Sequence, residues 1–282
     1  MEISSTGPSD SEFKVEWFDQ HLRGLEQLLG IANRLSNAAA GPENSYLAYQ
    51  ASLVFCKLAL AVLGTLRFIP GSIYFADKGA KAVDLSSASV LARQVLSDTV
   101  TFLYLADRNL TQEDREFRGF VWSLQALKQS CDFLKLNDPT DPAIAQIEPE
   151  LLKRFEDFEK HPLSQKIDKG IKAQINAGRR ALWKTDYDIL NGYGLRKKCY
   201  DAPFLLFSNF VHASELSANL ILQTGAQKED SFRRFFFGLV NTIPFFAVDI
   251  EVLIQCFPAC RSHITDDGLA LLKLCSEPVR RP

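Results

Sequence analysis

The sequence predicts an all-α protein, a bundle of seven to nine helices in a single domain. Three observations carry this expectation. Apolar residues recur at three- and four-residue spacing through most of the 282 residues. No run alternates apolar and polar residues between hairpin turns. Helix start and stop residues, rather than long biased linkers, separate the periodic segments, so residues 11–282 read as one helical domain behind a polar, loosely held stretch of residues 1–10.

The elements follow in order. From Ser11 to Leu35, Phe18, Leu22, Leu25, Leu29 and Ala32 repeat at helical spacing, and Ser9, Asp10 or Ser11 offers the N-cap. A break at "AAAGPEN" follows, and Pro42 suits the first turn of a second helix that runs to about Phe68. Pro70, Gly71 and Gly79 mark a loop. Asp84 or Ser86 starts a third helix through "ASVLARQVLSDTVTFLYLADRN". Thr111 and Asp114 form a capping-box-like start to the next one, with Asp in place of the usual Glu or Gln. Residues 138–161 carry Pro139, Pro142 and Pro149, with Pro162 just after, and predict short helices and turns. Residues 164–198 hold Gly170, Gly178, Gly192 and Gly194 and predict loops. The first of these two stretches has seven acids to three bases and the second nine bases to three acids, so they form complementary or separately solvated surfaces. Helix resumes after Leu195, with Pro203 kinking it or opening its second part. A long helix runs through "FRRFFFGLVNTIPFFAVDIEVLIQCFP", kinked near Pro244, and "TDDGLALLKLC" closes the chain.

Composition narrows the function classes. Twenty-one Phe stand against one Met, so the core is built on large rigid rings. A net charge of −2 gives no global field toward nucleic acid or membrane. The six cysteines lie scattered in apolar runs without a Cys-x2-Cys pair, which reads as reduced, buried thiols. Pro258 lies between Cys256 and Cys260, and no second pair completes a zinc set, so no metal and no cofactor is expected. The start of the chain lacks a basic stretch followed by an apolar run. The runs at 53–70 and 235–248 read as core helices of a soluble, cytoplasmic protein, with no membrane role. The apolar segment 235–258 is compatible with a core or with a homo-oligomer.

Polar chemistry concentrates on two helices. Ser208, His212 and Glu215 share a stripe beside Phe207, Phe210 and Val211, below Tyr200. A Ser–His–Glu hydrolytic set is disfavoured there. Backbone donors inside a helix are already committed, so no oxyanion hole forms, and the chain has no Gly-x-Ser-x-Gly elbow. On the helix near residue 93, Ser89, Arg93 and Ser97 repeat every four residues, and Tyr104 continues their stripe. A guanidinium in so apolar a helix is either ion-paired or the anchor of an anionic group. Asp98 faces elsewhere, toward Gln94 and Phe102. The expected arrangement packs these two helices together around Arg93, Ser97, Tyr200, Ser208, His212 and Glu215.

The stretch "LARQVLSDTVTFLYLA", and the later Tyr200, Ser208, His212 and Ser214, resemble a large, mostly bacterial helical family catalogued as a domain of unknown function. Its pattern is Ala-Arg-x3-Glu, then Tyr-x7-Ser-x3-His. Ser97 stands where that pattern has an acid, with Asp98 one place later. The resemblance covers roughly residues 85–215 and implies a helical fold and no particular activity. Arg154 to His161, "RFEDFEKH", matches the Arg-x4-6-His spacing of compact helical ribonucleases, but its intervening residues are acidic.

Arg179, Arg180, Lys184, Arg196, Lys197 and Lys198 interleave with Trp183, Tyr187 and Tyr193, a composition that suits single-stranded nucleic acid but equally a solvated basic face. Arg115, Arg118, Arg233 and Arg234 read as helix-surface charges. The function expected is a binding role at the Arg93/His212 cluster, with a small polar or anionic ligand as partner. The alternative is a nuclease-like or other hydrolytic enzyme acting on a phosphate-bearing substrate.

Overall fold

The computed structural model describes residues 15–39, 45–75, 84–211 and 226–281. The protein is all-α. Ten α-helices lie among the described residues, and the only strand-like feature among them is an isolated bridge between Leu195 and Arg280. They are α1 (Val15–Ala39), α2 (Tyr46–Arg67), α3 (Leu85–Ala106), α4 (Gln112–Asn137), α5 (Pro142–Lys160), α6 (Lys169–Asn176), α7 (Asp186–Gly192), α8 (Lys197–Val211), α9 (Ala226–Cys256) and α10 (Asp266–Ser276).

The count exceeds the seven to nine expected because the stretch 164–198, read as loops, builds two short helices. Asp168 caps α6 by accepting from the N–H groups of Gly170 and Ile171. Thr185 starts α7 by accepting from the Asp188 N–H at 3.1 Å. A second correction concerns α5, which is one helix of 19 residues rather than several short ones. Asp141 caps it, Pro142 takes its first turn, and Pro149 sits inside it on an exposed face. Ile144, Leu151 and Phe158, spaced by seven, bury one stripe and hold the helix together across the missing N–H of Pro149.

The described residues fall into two compact units. One contains α1, most of α2, α3, and the chain from Leu190 onward. Its central element is α9, which packs on α1, α3, α8 and α10. Phe245, Phe246 and Leu253 of α9 are fully buried, as are Phe55 of α2 and Phe102 of α3. The Phe55 ring lies 5.5 Å from Phe102 and 6.5 Å from Phe246. The other unit contains residues 45–49 and Asp107–Ile189. Its core runs through Phe117, Val121, Leu124, Leu151 and Phe158, with α4 packed on α5. Thr111 caps α4 as its spacing to Asp114 predicts, accepting from the Asp114 N–H at 3.1 Å and donating to the Asp114 carboxylate at 2.9 Å.

Length and composition would let α2 or the Arg233–Cys256 part of α9 cross a bilayer, but 67 % of the apolar stretch in α9 is buried inside the protein, against 39 % in α2. Thus α9 is a core helix, whereas α2 leaves Leu53 and Leu60 exposed. The thiols also depart from expectation. All six cysteines are free, but Cys56 is exposed and Cys199 and Cys256 are half-buried.

One glycine sets how closely α8 approaches α9. A Cβ added at Gly238 would lie 2.7 Å from the Phe207 ring and 2.8 Å from a Leu206 methyl. Alanine in a helix is ordinarily favoured over glycine by about 1 kcal/mol. Here overpacking against a fully buried ring costs about 1–3 kcal/mol and outweighs that gain. Gly238→Ala therefore lowers stability in chemical denaturation. An increase in stability would show that α8 and α9 are not in close contact at this point.

Candidate functional site

The site forms on the seam where α3 packs on α8. Both helices come from apolar sequence interrupted by polar residues four apart, and those interruptions meet. The Arg93 Nε donates to the Ser208 hydroxyl at 2.9 Å, and the guanidinium carbon lies 4.8 Å above the Phe204 ring centre. Phe204 in turn stacks on Tyr200, with ring centres 5.3 Å apart, and Tyr200 meets Phe245 of α9 edge-on at 5.9 Å. Arg93, Phe204 and Ser208 are half-buried, whereas Tyr200 is buried behind them. Pro203 lies inside α8, which runs unbroken through it from Lys197.

The Ser208 hydroxyl is committed in both directions. It accepts from Arg93 and donates to the Phe204 carbonyl one turn back at 2.6 Å. It is therefore a positioning group in this arrangement, with its proton directed to a backbone carbonyl rather than to a general base. Arg93 has no carboxylate partner among the described residues. Among the described residues its partners are one hydroxyl and one aromatic face, where such an arginine more commonly makes an ion pair. Ser97 lies one turn further along α3, half-buried, and its carbonyl accepts from Thr101. Ser89 is fully buried, so the stripe of Ser89, Arg93 and Ser97 dives into the core at its N-terminal end. His212 and Glu215 lie outside the described residues.

The basic candidates are divided between the two units. Arg179, Arg180 and Lys184 belong to one unit, and Arg196, Lys197 and Lys198 to the other. Arg180 clamps its own loop, donating to the carbonyls of Leu182 and Lys184 and to the Asp186 carboxylate at 2.7–2.8 Å. Lys184 rests over the Trp183 ring at 5.4 Å. Arg196 binds the Pro278 carbonyl and Lys197 pairs with Asp201, leaving Arg179 and Lys198 exposed. The Arg154–His161 pair is also structural. Arg154 donates to Glu150 and Ser123, while His161 ends α5, stacks on Phe117 at 4.3 Å and accepts from the Leu163 N–H.

Sequence reasoning missed two buried polar clusters. Arg118, read as a surface charge, is 1 % exposed and paired with Asp107 at 3.0 Å. Its neighbours Phe117 and Val121 mark the buried face of α4, and that was the available signal. The second cluster centres on Asp249 of α9, which is fully buried and accepts from the Thr99 hydroxyl at 2.6 Å. Its second oxygen has no hydrogen-bond partner among the described residues. Nearby Asp98 is also buried, held by Gln94 at 2.6 Å, as the spacing predicts, and by Lys57 at 3.2 Å. Burial pushes the Asp249 carboxyl well above the usual carboxylate range. The Thr99 bond pulls it down, and the charge of Asp98 adds to the rise. Burial likewise raises Asp98, against the pull of Lys57 and Gln94.

Comparison with known proteins returned no match. No family model fits the chain, and no curated protein or solved structure is similar to it. Among the described residues no group of three or more His, Cys, Asp or Glu could hold a metal ion.

The raised carboxyl at 249 has a stability consequence. Folded Asp249 retains its proton at pH values where the unfolded chain has lost it. Stability is then fully present below the ordinary carboxylate value and falls as pH rises toward the folded one. Asp249→Asn keeps an acceptor for Thr99 and removes the titration. Thermal melts should show the variant matching the parent near pH 4 and melting higher near pH 8. Equal destabilisation at both pH values would mean that Asp249 is ionised in the fold.

Proposed function

We propose that this chain is a soluble, cytoplasmic helical binding protein that takes a small polar or anionic ligand on Arg93. The observation that carries the reading is the state of that guanidinium. It is half-buried, held by Ser208 and the Phe204 face, and has no carboxylate partner among the described residues. Desolvating a cation without an opposing charge costs free energy, and a protein recovers it when an anion arrives. The Nε bond and the aromatic face fix the guanidinium before the ligand binds, which lowers the ordering entropy lost on binding. The committed Ser208 hydroxyl favours binding over covalent chemistry.

The six free thiols fit a reducing compartment. The motif resemblance to the bacterial helical family of unknown function rests on Ala92-Arg93 and on Tyr200, Ser208 and His212, three of which meet or adjoin in the site described above.

A thermal-shift titration at constant ionic strength tests the reading. Small anions should raise the melting temperature of the parent protein and leave that of Arg93→Ala unchanged. The substitution itself should cost roughly 2–4 kcal/mol, the loss of one charged hydrogen bond and one half-exposed cation–π contact. A much larger loss of stability, with no anion effect in the parent, would assign Arg93 to holding the fold.

A further inference from the structure

We propose that the outward face of α2 is an interface for a second copy of this chain, with α2 packed on α2. Burial is the first argument. From Gln50 to Arg67 the helix is apolar on most of its circumference, and a helix of that kind is ordinarily enclosed. Its inner face is enclosed, since Phe55, Leu58, Val62 and Leu66 are buried. Leu53 and Leu60 are nevertheless 47 % and 66 % exposed, Cys56 is exposed between them, and Leu63 is half-buried. The second argument is spacing. Leu53, Cys56, Leu60 and Leu63 follow one another at intervals of three, four and three residues. That is the narrow seam by which one helix grips another, not the wider stripe of a helix laid on a core or on lipid. Three of the positions that flank the seam, Ser52, Ala59 and Gly64, are small and let a second backbone come close.

Charge selects the occupant. The helix α2 has no acidic residue, and Lys57, the fourth flanking position, is its only charge before Arg67. The Lys57 ammonium already pairs with Asp98 of the same chain at 3.2 Å. The seam therefore asks a partner for apolar surface and for no charge. A second copy supplies that with the same four side chains, and a two-fold axis closes the contact at two chains. A partner helix bearing acids, the usual match for a basic flank, would find Lys57 already paired. A bilayer surface would have to strip water from the Lys57–Asp98 pair, whose lysine is exposed beside the seam.

The seam is short, so the dimer is a weak one, with dissociation roughly in the micromolar range. Sedimentation of the full chain from low to high micromolar concentration should show a monomer–dimer equilibrium. Leu60→Glu places a carboxylate in the seam and should weaken dimerisation about tenfold or more. Circular dichroism and melting temperature should not change, because Leu60 faces solvent in the single chain. Leu53→Gln should act in the same direction and carries the test alone if Leu60→Glu disturbs the fold. Leu136→Glu, on the exposed surface of α4, should leave the equilibrium as it was. Because each copy presents Cys56 on the seam, a short bis-maleimide should join two chains, and Cys56→Ser should abolish the joined product. A parent protein that stays monomeric throughout would overturn the proposal, including one that instead sediments with anionic vesicles. So would a dimer that both seam substitutions leave intact, since it would use another face.

Discussion

The structure of the candidate site depends on one contact, the donation of Arg93 Nε to Ser208 above the face of Phe204. It joins residues 115 positions apart in the chain, and it sets the orientation of the Arg93 guanidinium and the Ser208 hydroxyl on the α3–α8 seam. The energy of the contact is modest. A charged hydrogen bond and a half-exposed cation–π contact together amount to a small fraction of what the surrounding rings contribute by burial. Its importance is geometric: three nitrogens of the guanidinium are divided into one that is used and two that are available.

That geometry is supported from behind. Tyr200 stacks under Phe204 and meets Phe245 of α9, so the aromatic floor of the site is continuous with the core of its unit. Gly238 lets α9 lie close against α8, and Phe207 fills the contact. On its other side, α3 is tied to α9 by the Thr99–Asp249 bond and to α2 by the Lys57–Asp98 pair. Three of the polar contacts that hold α3 thus work under different solvation. Asp249 is fully enclosed, with its carboxyl pushed upward by burial, Asp98 is buried with an exposed lysine reaching it, and Arg93 is half-buried.

Much of the architecture was legible from local signals. Thr111 with Asp114 and the position of Asp84 before α3 gave helix starts, because capping depends on a few adjacent residues. Arg93 and Ser208 were legible because a four-residue polar spacing stands out in an apolar helix. Other features depended on tertiary packing and were hidden. Pro149 predicted a break, but burial of Leu151 and Phe158 carries α5 across it. Arg118 reads as a surface charge until α4 is packed and Asp107 is opposite. Asp249 reads as the polar end of an apolar run, and its partner Thr99 lies 150 residues away. The division into two units also left no mark in composition, since its boundaries fall inside α2, at the end of α3 and inside α7.

The most direct test of the central claim observes the guanidinium itself. In ¹⁵N spectra of the full chain, the Nε–H of Arg93 should be displaced from the bulk of the arginine signals and exchange slowly with water, and Ser208→Ala should return it to ordinary behaviour. An Nε–H that exchanges freely in the parent protein, and is untouched by loss of the Ser208 hydroxyl, would mean that the guanidinium is not held and that the site does not exist as described.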